Sequence, residues 1–491
     1  MLRKRRNLLF KDMGVALASV QFIASVIFCF LLFSLNMLPD RYSVGITVIL
    51  LLLSFIVFLL QGKYVSGIVG KVFSVVMIAA LIFGSSLLTD LNATLKSITA
   101  GGNVQKEKIN VYIMADREIP TDAEASEFVY GIMASTQGES LDNMIAIMTD
   151  KFGGEAPRTA EYKTAEDLAE ALYTEQVDAI ILGESFVSII SDIEAYANFE
   201  TDTKILYSEE FSIAIDSGTA DLDSDTMIIY ISGNDKTGSV EGFHRSDVNI
   251  LAVVNTKTRE ILLVSTPRDY YVNLKFNDGT YSALPDKLTH AGNYGVEVSM
   301  NTLETIYDID IDYYFRVNFT GFIEIVDALG GVDVYVPKNF TAQGAGTVFT
   351  QGNAHLSGAE ALDFVRERYA FAGGDNRRGS AQMEVITSLL NKVMSPSVIS
   401  GYREILDSLQ RYFQTNIPSE LISSLVKKQL DEGGDWNITS TSVEGTGSSE
   451  YTNSYPRQKL SVFLRNSESE AAAKELIQKV LNGESLESEE E

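Results

Sequence analysis

Three apolar runs near the N-terminus, at about 15 to 38, 44 to 60 and 68 to 89, constrain this chain more than any other feature. Each carries almost no charge and is close to the roughly 20 residues that a helix needs to cross a bilayer. They read as three transmembrane helices. The turn Pro39, Asp40, Arg41 separates the first from the second, which is the shortest. Arg3, Lys4, Arg5, Arg6 and Lys11 precede the first run, Lys63 lies between the second and third, and Lys71 stands at the start of the third. Positive charge stays on the cytoplasmic side, which places residues 1–14 inside, the helices over 15–89 in the cell membrane as a multi-pass anchor, and everything after Thr89 outside. A cleaved signal peptide is the competing reading of the first run; two further spans and no small-residue cleavage site argue against it.

The chain has 491 residues, enough for this anchor and two or three ordinary domains. Its net charge of −27 is unevenly spread: residues 1–90 hold 8 Lys+Arg against 3 Asp+Glu, leaving 31 against 63 for the remainder. So acidic an exterior repels phosphate backbones, which excludes general nucleic-acid binding and requires that any phosphate chemistry have a local cationic site. The only cysteine, Cys29, falls in the first apolar run. Beyond the membrane there is therefore no disulfide framework, cysteine zinc cluster or thiol nucleophile, as suits an exported Gram-positive surface protein.

After a polar, Gly-containing stretch read as a linker over 90–104, strand-like and helix-like segments alternate: Ile109 to Ala115, Leu141 to Phe152, Thr164 to Tyr173, Val177 to Leu182, a helix near 185 to 197, and Lys204 to Tyr207. This predicts a small α/β accessory domain over 105–215 without a catalytic constellation. Asp216 to Ser224 reads as a second linker. Strands follow at Thr226 to Ser232, Val248 to Asn255 and Ile261 to Thr266, with helices at 297–307, 318–329, 357–368 and 380–393; Gly330 and Gly331 stop one helix before the strand Val332 to Val336. Helices near 401–413 and 418–431, strands within 436–463 and a helix at 469–481 complete a domain over 216–483, before an acidic tail at 484–491 that reads as disordered. The fold class expected is α/β (α+β), a sheet covered by helices.

No Walker loop, G-x-S-x-G elbow or H-E-x-x-H is present, and three histidines leave few general bases. Arginine beside aspartate at strand ends and loops stands out instead: Asp235 in Ser232-Gly233-Asn234-Asp235, Arg245-Ser246-Asp247, Arg268-Asp269, Arg366-Glu367-Arg368, and Asp375-Asn376-Arg377-Arg378 followed by Gln382. Hard carboxylates with Mg²⁺ or Mn²⁺ and guanidinium forks can neutralise a pyrophosphate without titrating near neutral pH. Each group also has a plainer reading. Asp235 and Asp247 could be turn residues, Arg268 and Asp269 a local ion pair, and His290 a hydrogen-bonded structural histidine rather than a base. Arg366 and Arg368, two apart, would point to nearly opposite sides of a helix unless it ends at Arg366 and the chain opens.

In that order these segments resemble the LytR-CpsA-Psr family of cell-envelope phosphotransferases, over about 223 to 395, through SGND, RSDVNIL, TPRDYYV, DKLTHAGNYG, VNFTGF, DALGGVDVYV and LSGAEALDFVRERY. Three spans followed by an intervening domain further resemble its streptococcal capsule-assembly branch (CpsA or Wzg). The resemblance implies a central mixed sheet flanked by helices, with an apolar pocket for a polyprenyl chain and the pyrophosphate at its mouth. It implies metal binding, Mg²⁺ or Mn²⁺, by Asp235 and Asp247. Pyrophosphate binding falls to Arg245, Arg268, Arg366, Arg368, Arg378 and Gln382, with Asp375 arranging the arginines. The chain departs from the family at Ser380-Ala381-Gln382-Met383, where Arg-Gln-Gln or Asn-Gln-Gln is common.

The activity so implied is metal-dependent transfer of a polyprenyl-pyrophosphate-linked glycan, with capsular polysaccharide favoured, to peptidoglycan, releasing polyprenyl phosphate. Asp269 is a candidate general base. Partners expected are the lipid-linked glycan, the peptidoglycan acceptor, the membrane and capsule-assembly membrane proteins. Two other readings stand beside it: a membrane regulator of capsule synthesis that senses polyprenyl lipid, and a polyprenyl-pyrophosphate hydrolase.

Overall fold

The computed structural model of the chain describes residues 2–61, 64–215, 224–235, 240–367, 370, 374–395 and 412–486. They form two compact units.

The first unit holds the helices Leu2–Leu35, Asp40–Leu60 and Tyr64–Ala100, together with the later helix Ser419–Glu432. Phe10–Leu35, Asp40–Leu60 and Gly67–Ser97 are long and apolar enough to cross a membrane. Phe30, Phe55, Ile82 and Phe83 point outward and exposed, as side chains facing hydrocarbon do. The stretch read as a linker from residue 90 instead continues the third helix to Ala100. Leu91 and Leu95 keep the helical spacing there, Leu95 is buried, and only Gly101 and Gly102 end the run. Helix Ser419–Glu432 is held to the turn between the first two spans, where the Lys427 ammonium reaches the Asp40 carboxylate at 2.7 Å and Asn36 at 3.0 Å. A second pair, Arg41 with Asp431 at 3.3 Å, lies alongside.

The second unit contains two sheets. The first has five strands in the spatial order Arg158–Glu161, Val129–Ile132, Ala179–Gly183, Val104–Met114, Thr203–Ala214. The first three of these are parallel to one another, and Val104–Met114 is antiparallel to both of its neighbours, Ala179–Gly183 and Thr203–Ala214. Helix Ala165–Tyr173 starts on a Thr164 side-chain cap and buries Leu168, Ala169 and Leu172 against one face. The helix expected over 185–197 is broken into Val187–Ser191 flanked by two short 3-10 turns.

The second sheet is mixed and six-stranded. From edge to edge it runs Phe413–Thr415, Tyr313–Asn318, Thr226–Asn234, Val248–Asn255, Glu260–Ser265, Asn437–Ser442. Val248–Asn255 and Glu260–Ser265 are buried almost without interruption, the mark of strands covered on both faces. Helices Val296–Tyr307 and Ser467–Leu481 bring Val296, Leu303, Ala473, Ile477 and Val480 onto Tyr230, Leu251, Val253, Leu262 and Val264. A separate apolar cluster joins helices Phe319–Ala328, Gly358–Arg366 and Gly374–Val393 to the hairpin Val332–Val336 and Gly352–Leu356, with Val326, Val334, Phe364 and Val385 inside it. The chain is thus an α/β protein with three N-terminal apolar helices and a helix-covered mixed sheet.

Two expectations about this unit need correction. The helix expected near 401–413 falls mostly outside the described residues, and its last residue, Phe413, instead opens an edge strand, Phe413–Thr415, and stacks on Phe315 at 5.0 Å. The final helix of the site region begins at Gly374 rather than 380, so Asp375 to Arg378, expected in a loop, lie in its first turns.

Candidate functional site

The site is built where three strands of the mixed sheet end. Asp247 precedes the strand Val248–Asn255, and its amide donates to the Gly233 carbonyl at 2.7 Å, which carries the antiparallel ladder one step beyond Gly233 and Val248. That step sets Asn234 opposite Asp247, with Asp235 the next residue along. Beneath them the Ser246 hydroxyl shares hydrogen bonds with Ser232 at 2.8 Å and Tyr230 at 2.9 Å, while the Tyr230 hydroxyl donates to Asn249 at 2.7 Å. All four side chains are buried, and a buried polar network with its members paired fixes one conformation.

Pro267 starts the turn that carries Arg268, with the Tyr270 amide donating to the Pro267 carbonyl at 3.1 Å. Thr289, in the 3-10 segment Leu288–Tyr294, then holds both functional turns at once. Its amide donates to the Arg268 carbonyl at 2.9 Å, and its carbonyl accepts from the Ser246 amide at 3.1 Å. Gly292 permits this approach, since a Cβ there would collide with the His244 carbonyl and lie 3.0 Å from the Ser246 amide nitrogen.

The outcome is a direct ion pair between the Arg268 guanidinium and the Asp247 carboxylate, both largely buried. Asp269 stands 3.6 Å from Arg268 Nε and accepts the Lys287 ammonium at 3.0 Å. A cleft beside the pair is lined by Asp247, Asn249, Arg268 and Gln382, by the hydroxyls of Ser265, Thr266 and Ser442, and by Gly379. A Cβ on Gly379 would come 3.2 Å from Ser265 Oγ, so helix Gly374–Val393 passes close over the strand end and delivers Gln382. One carboxylate, one guanidinium and several neutral hydrogen-bonding groups line the cleft, with Asp269 and Lys287 adjoining it, a set that suits an anion whose charge is partly carried by a hard cation.

The sequence-predicted residues divide into groups. Asp247, Arg268 and Gln382 share the cleft, and Asp269 adjoins it. Asp235 is exposed at the end of its strand. Arg245 is largely buried and does not line the cleft itself, but it lies close enough to Asp247 to interact with its charge, and its guanidinium donates to Asp192 at 2.6 Å and to the Tyr455 hydroxyl at 3.0 Å. Burial works against its charge, but Tyr455 and Asp192 outweigh it and raise its pKa. Helix Gly358–Arg366 does end at Arg366, and Glu367 is extended (φ −67°, ψ 126°), so the chain opens there. Arg366 is exposed, with its guanidinium 4.6 Å over the Phe319 ring. Arg368, and the side chains of Asp375 and Arg378, lie outside the described residues.

His290 has the structural role expected. Its Nδ1 pairs at 2.6 Å with the wholly buried Asp286, which also accepts from the Lys287 amide and from the Ser454 amide and hydroxyl. Burial alone would raise the Asp286 pKa; His290 and these hydrogen bonds reverse that and hold it below the usual carboxylate range. Sequence reasoning missed Lys287, Tyr455 and Asp192 as neighbours of the site. Lys287 lies inside the quoted DKLTHAGNYG segment, where a cation one residue from a buried Asp was a usable signal. Tyr455 sits in a hairpin loop and Asp192 in another sheet's domain, and no local pattern marks either.

The sequence profile of the LytR_cpsA_psr family matches residues 190–469, more than half of the chain. The chain is similar to the polyisoprenyl-teichoic acid–peptidoglycan teichoic acid transferase TagU of Bacillus cereus (strain AH820), 35% identical over 209 residues, which are 42% of this chain and 66% of that protein. The protein of the same name from Oceanobacillus iheyensis is 33% identical over 232 residues, 46% of this chain and 69% of the relative. A crystal structure of a Streptococcus agalactiae protein is 26% identical, covers 52% of this chain and 88% of its own, and superposes with a TM-score of 0.46.

Proposed function

Because the chain belongs to the LytR_cpsA_psr family, we propose that it transfers a glycan from a polyprenyl pyrophosphate to peptidoglycan on the outer face of the cell membrane. The observation that carries this reading is the cleft in which Asp247 and Arg268 meet beneath Gln382, a preorganised site for pyrophosphate on an otherwise acidic protein. An acceptor hydroxyl attacks the sugar-linked phosphorus, the bond from that phosphorus to the bridging oxygen breaks, and polyprenyl monophosphate leaves. Charge grows on the departing lipid phosphate, so cationic donors fixed beforehand stabilise the transition state more than the ground state.

Arg268 is fixed from three sides: by Asp247, by its own carbonyl on Thr289, and by Asp269. In this reading it binds the phosphate, a role shared by Arg245, Arg366, Arg368 and Arg378, with Asp375 assigned to arranging the arginines and Gln382 donating a neutral hydrogen bond. Asp269, held by Lys287, orients two cations. Among the described residues no three His, Cys, Asp or Glu side chains group as a metal cage. Two carboxylates beside a substrate pyrophosphate nonetheless form a donor set that Mg²⁺ or Mn²⁺ accepts, and Asp235 and Asp247 would hold that ion. When bound it would neutralise phosphate oxygens as a Lewis acid.

The contacts of Lys427 and Arg41 support the outward topology, since a helix that follows the third span touches the turn between the first two and must share its side of the membrane. The relatives named as teichoic acid transferases support an anionic wall glycan as donor. Within that class we favour capsular polysaccharide, on the arrangement of three spans and an intervening domain, with capsule-assembly membrane proteins as partners. Native mass spectrometry of the full chain in detergent tests the lipid. It should retain a long polyprenyl phosphate or pyrophosphate, and Asp247→Ala should lose metal-dependent transfer while remaining folded. Binding of soluble sugar nucleotides with no affinity for polyprenyl lipids would overturn the reading.

A further inference from the structure

Arg245 is held by a residue that does not belong to the mixed-sheet domain. Asp192 caps helix Val187–Ser191 of the five-stranded domain, and its Oδ2 accepts both from the Arg245 guanidinium at 2.6 Å and from the Tyr455 hydroxyl at 3.0 Å. Tyr455 in turn accepts from Arg245 at 3.0 Å, closing a three-membered ring of hydrogen bonds.

Both supports are rigid. Ile189 and Ile190 of the helix are buried in their own core. The domain junction is fixed by the Ser185 hydroxyl on the Asn293 carbonyl at 2.9 Å, and by Phe186 set edge-on to Tyr294 with ring centres 5.1 Å apart. Tyr455 follows Ser454, whose amide and hydroxyl both bind the buried Asp286 carboxylate, at 2.8 and 2.6 Å. Arg245 Nε, by contrast, is buried with no hydrogen-bond partner among the described residues. One edge of the fork is thus engaged while a buried donor remains for something else.

We propose that Asp192 is a positioning residue, through which the five-stranded domain completes the anion site by holding Arg245, with Tyr455, in the orientation that a pyrophosphate requires. This rests on the pyrophosphate reading of Arg245 given above. An arginine left unpinned has many rotamers to lose on binding, and fixing it beforehand removes that cost. A carboxylate near an anion site also repels the anion. Asp192, however, is half exposed, its side chain 53% accessible, so water and salt screen its charge while the short hydrogen bond still fixes geometry.

The test uses the full chain in lipid nanodiscs, with geranylgeranyl pyrophosphate as probe and calorimetry as readout. Asp192→Ala should weaken binding about five- to tenfold, the size of one ordinary hydrogen bond, since exposure of Asp192 screens the charge. Asp192→Asn, which keeps an acceptor and loses the charge, should return to within about twofold of the parent. In an Arg245→Ala background Asp192→Ala should add nothing, because the group it positions is gone. Equal losses in both backgrounds would make Asp192 merely structural, and tighter binding by Asp192→Ala would make it a competitor of the anion; either result overturns the proposal. Glycan transfer measured on the same preparations separates the two readings. A parent that binds the probe but transfers nothing would sink the transferase and leave this inference standing. A parent that transfers while Asp192→Ala binds like it would do the reverse.

Discussion

Arg268 is the residue on which most contacts of the candidate site converge. Its guanidinium meets Asp247, stands next to Asp269, and its backbone is tied to the same Thr289 that holds Ser246. Removing one donor from a preorganised charge-stabilising site costs about 3 to 4 kcal/mol, so Arg268→Ala should lose roughly a hundred- to thousandfold in transfer rate. Arg268→Lys should recover little, because an ammonium is a point charge and cannot present a planar fork to a phosphate. A rate within about threefold of the parent for either variant would remove Arg268 from the mechanism. Asp286 is the structural counterpart. Its ionised form is stabilised in the fold, so the contribution is present above the ordinary carboxylate range and is lost as pH falls through the depressed value. Asp286→Ala strands His290, Ser454 and the Lys287 amide, and should destabilise by about 3 to 5 kcal/mol in thermal unfolding at neutral pH.

At the scale of elements, the site depends on short segments brought to the ends of strands. Gly292 lets the 3-10 segment lie against His244 and Ser246, so Gly292→Ala should cost about 2 to 3 kcal/mol and loosen the Arg245-Ser246-Asp247 turn. Gly447, in the hairpin strand Gly445–Tyr451, has nothing within 4 Å of where a Cβ would stand, and Gly447→Ala should stay within about 0.5 kcal/mol of the parent. Thermal unfolding with hydrogen exchange over 244–249 checks both, and equal behaviour of the two variants would contradict this packing. Much at this scale was legible in the sequence. The buried strands announce themselves as continuous apolar runs, and Val248–Asn255 has the expected bounds. The end of a helix at Arg366 was one of two conformations that the spacing of Arg366 and Arg368 left open, and Glu367 settles it by turning extended. What could not be read was set by tertiary contact. Phe413–Thr415 is a strand because Tyr313–Asn318 offers it an edge, and Tyr455 reaches the site only because Asp286 anchors its loop.

At the scale of the whole molecule, the acidic part of the chain that follows the three apolar helices brings arginines together at the candidate site, and the five-stranded domain reaches one of them, Arg245, through Asp192. That domain also holds Glu107, buried in the strand Val104–Met114, where burial pushes its pKa up to about 7. The unfolded carboxyl titrates near 4.5, so folding is favoured below that value and loses stability as pH rises from there toward 7. Glu107→Gln should therefore stabilise the chain by on the order of 2 to 3 kcal/mol at pH 8, with the gain vanishing below about pH 4.5. A difference independent of pH would show that the charge is not its cause. Phosphoryl transfer to the wall is reported most directly by the phosphorus itself. Purified chain in liposomes is given Mg²⁺, peptidoglycan fragments and a polyprenyl-pyrophosphate-linked glycan labelled with ³²P at the sugar-linked phosphorus. Label should join the peptidoglycan while unlabelled polyprenyl monophosphate accumulates in equal amount; label released as soluble glycan phosphate, or left on the lipid, would rule out transfer to the wall.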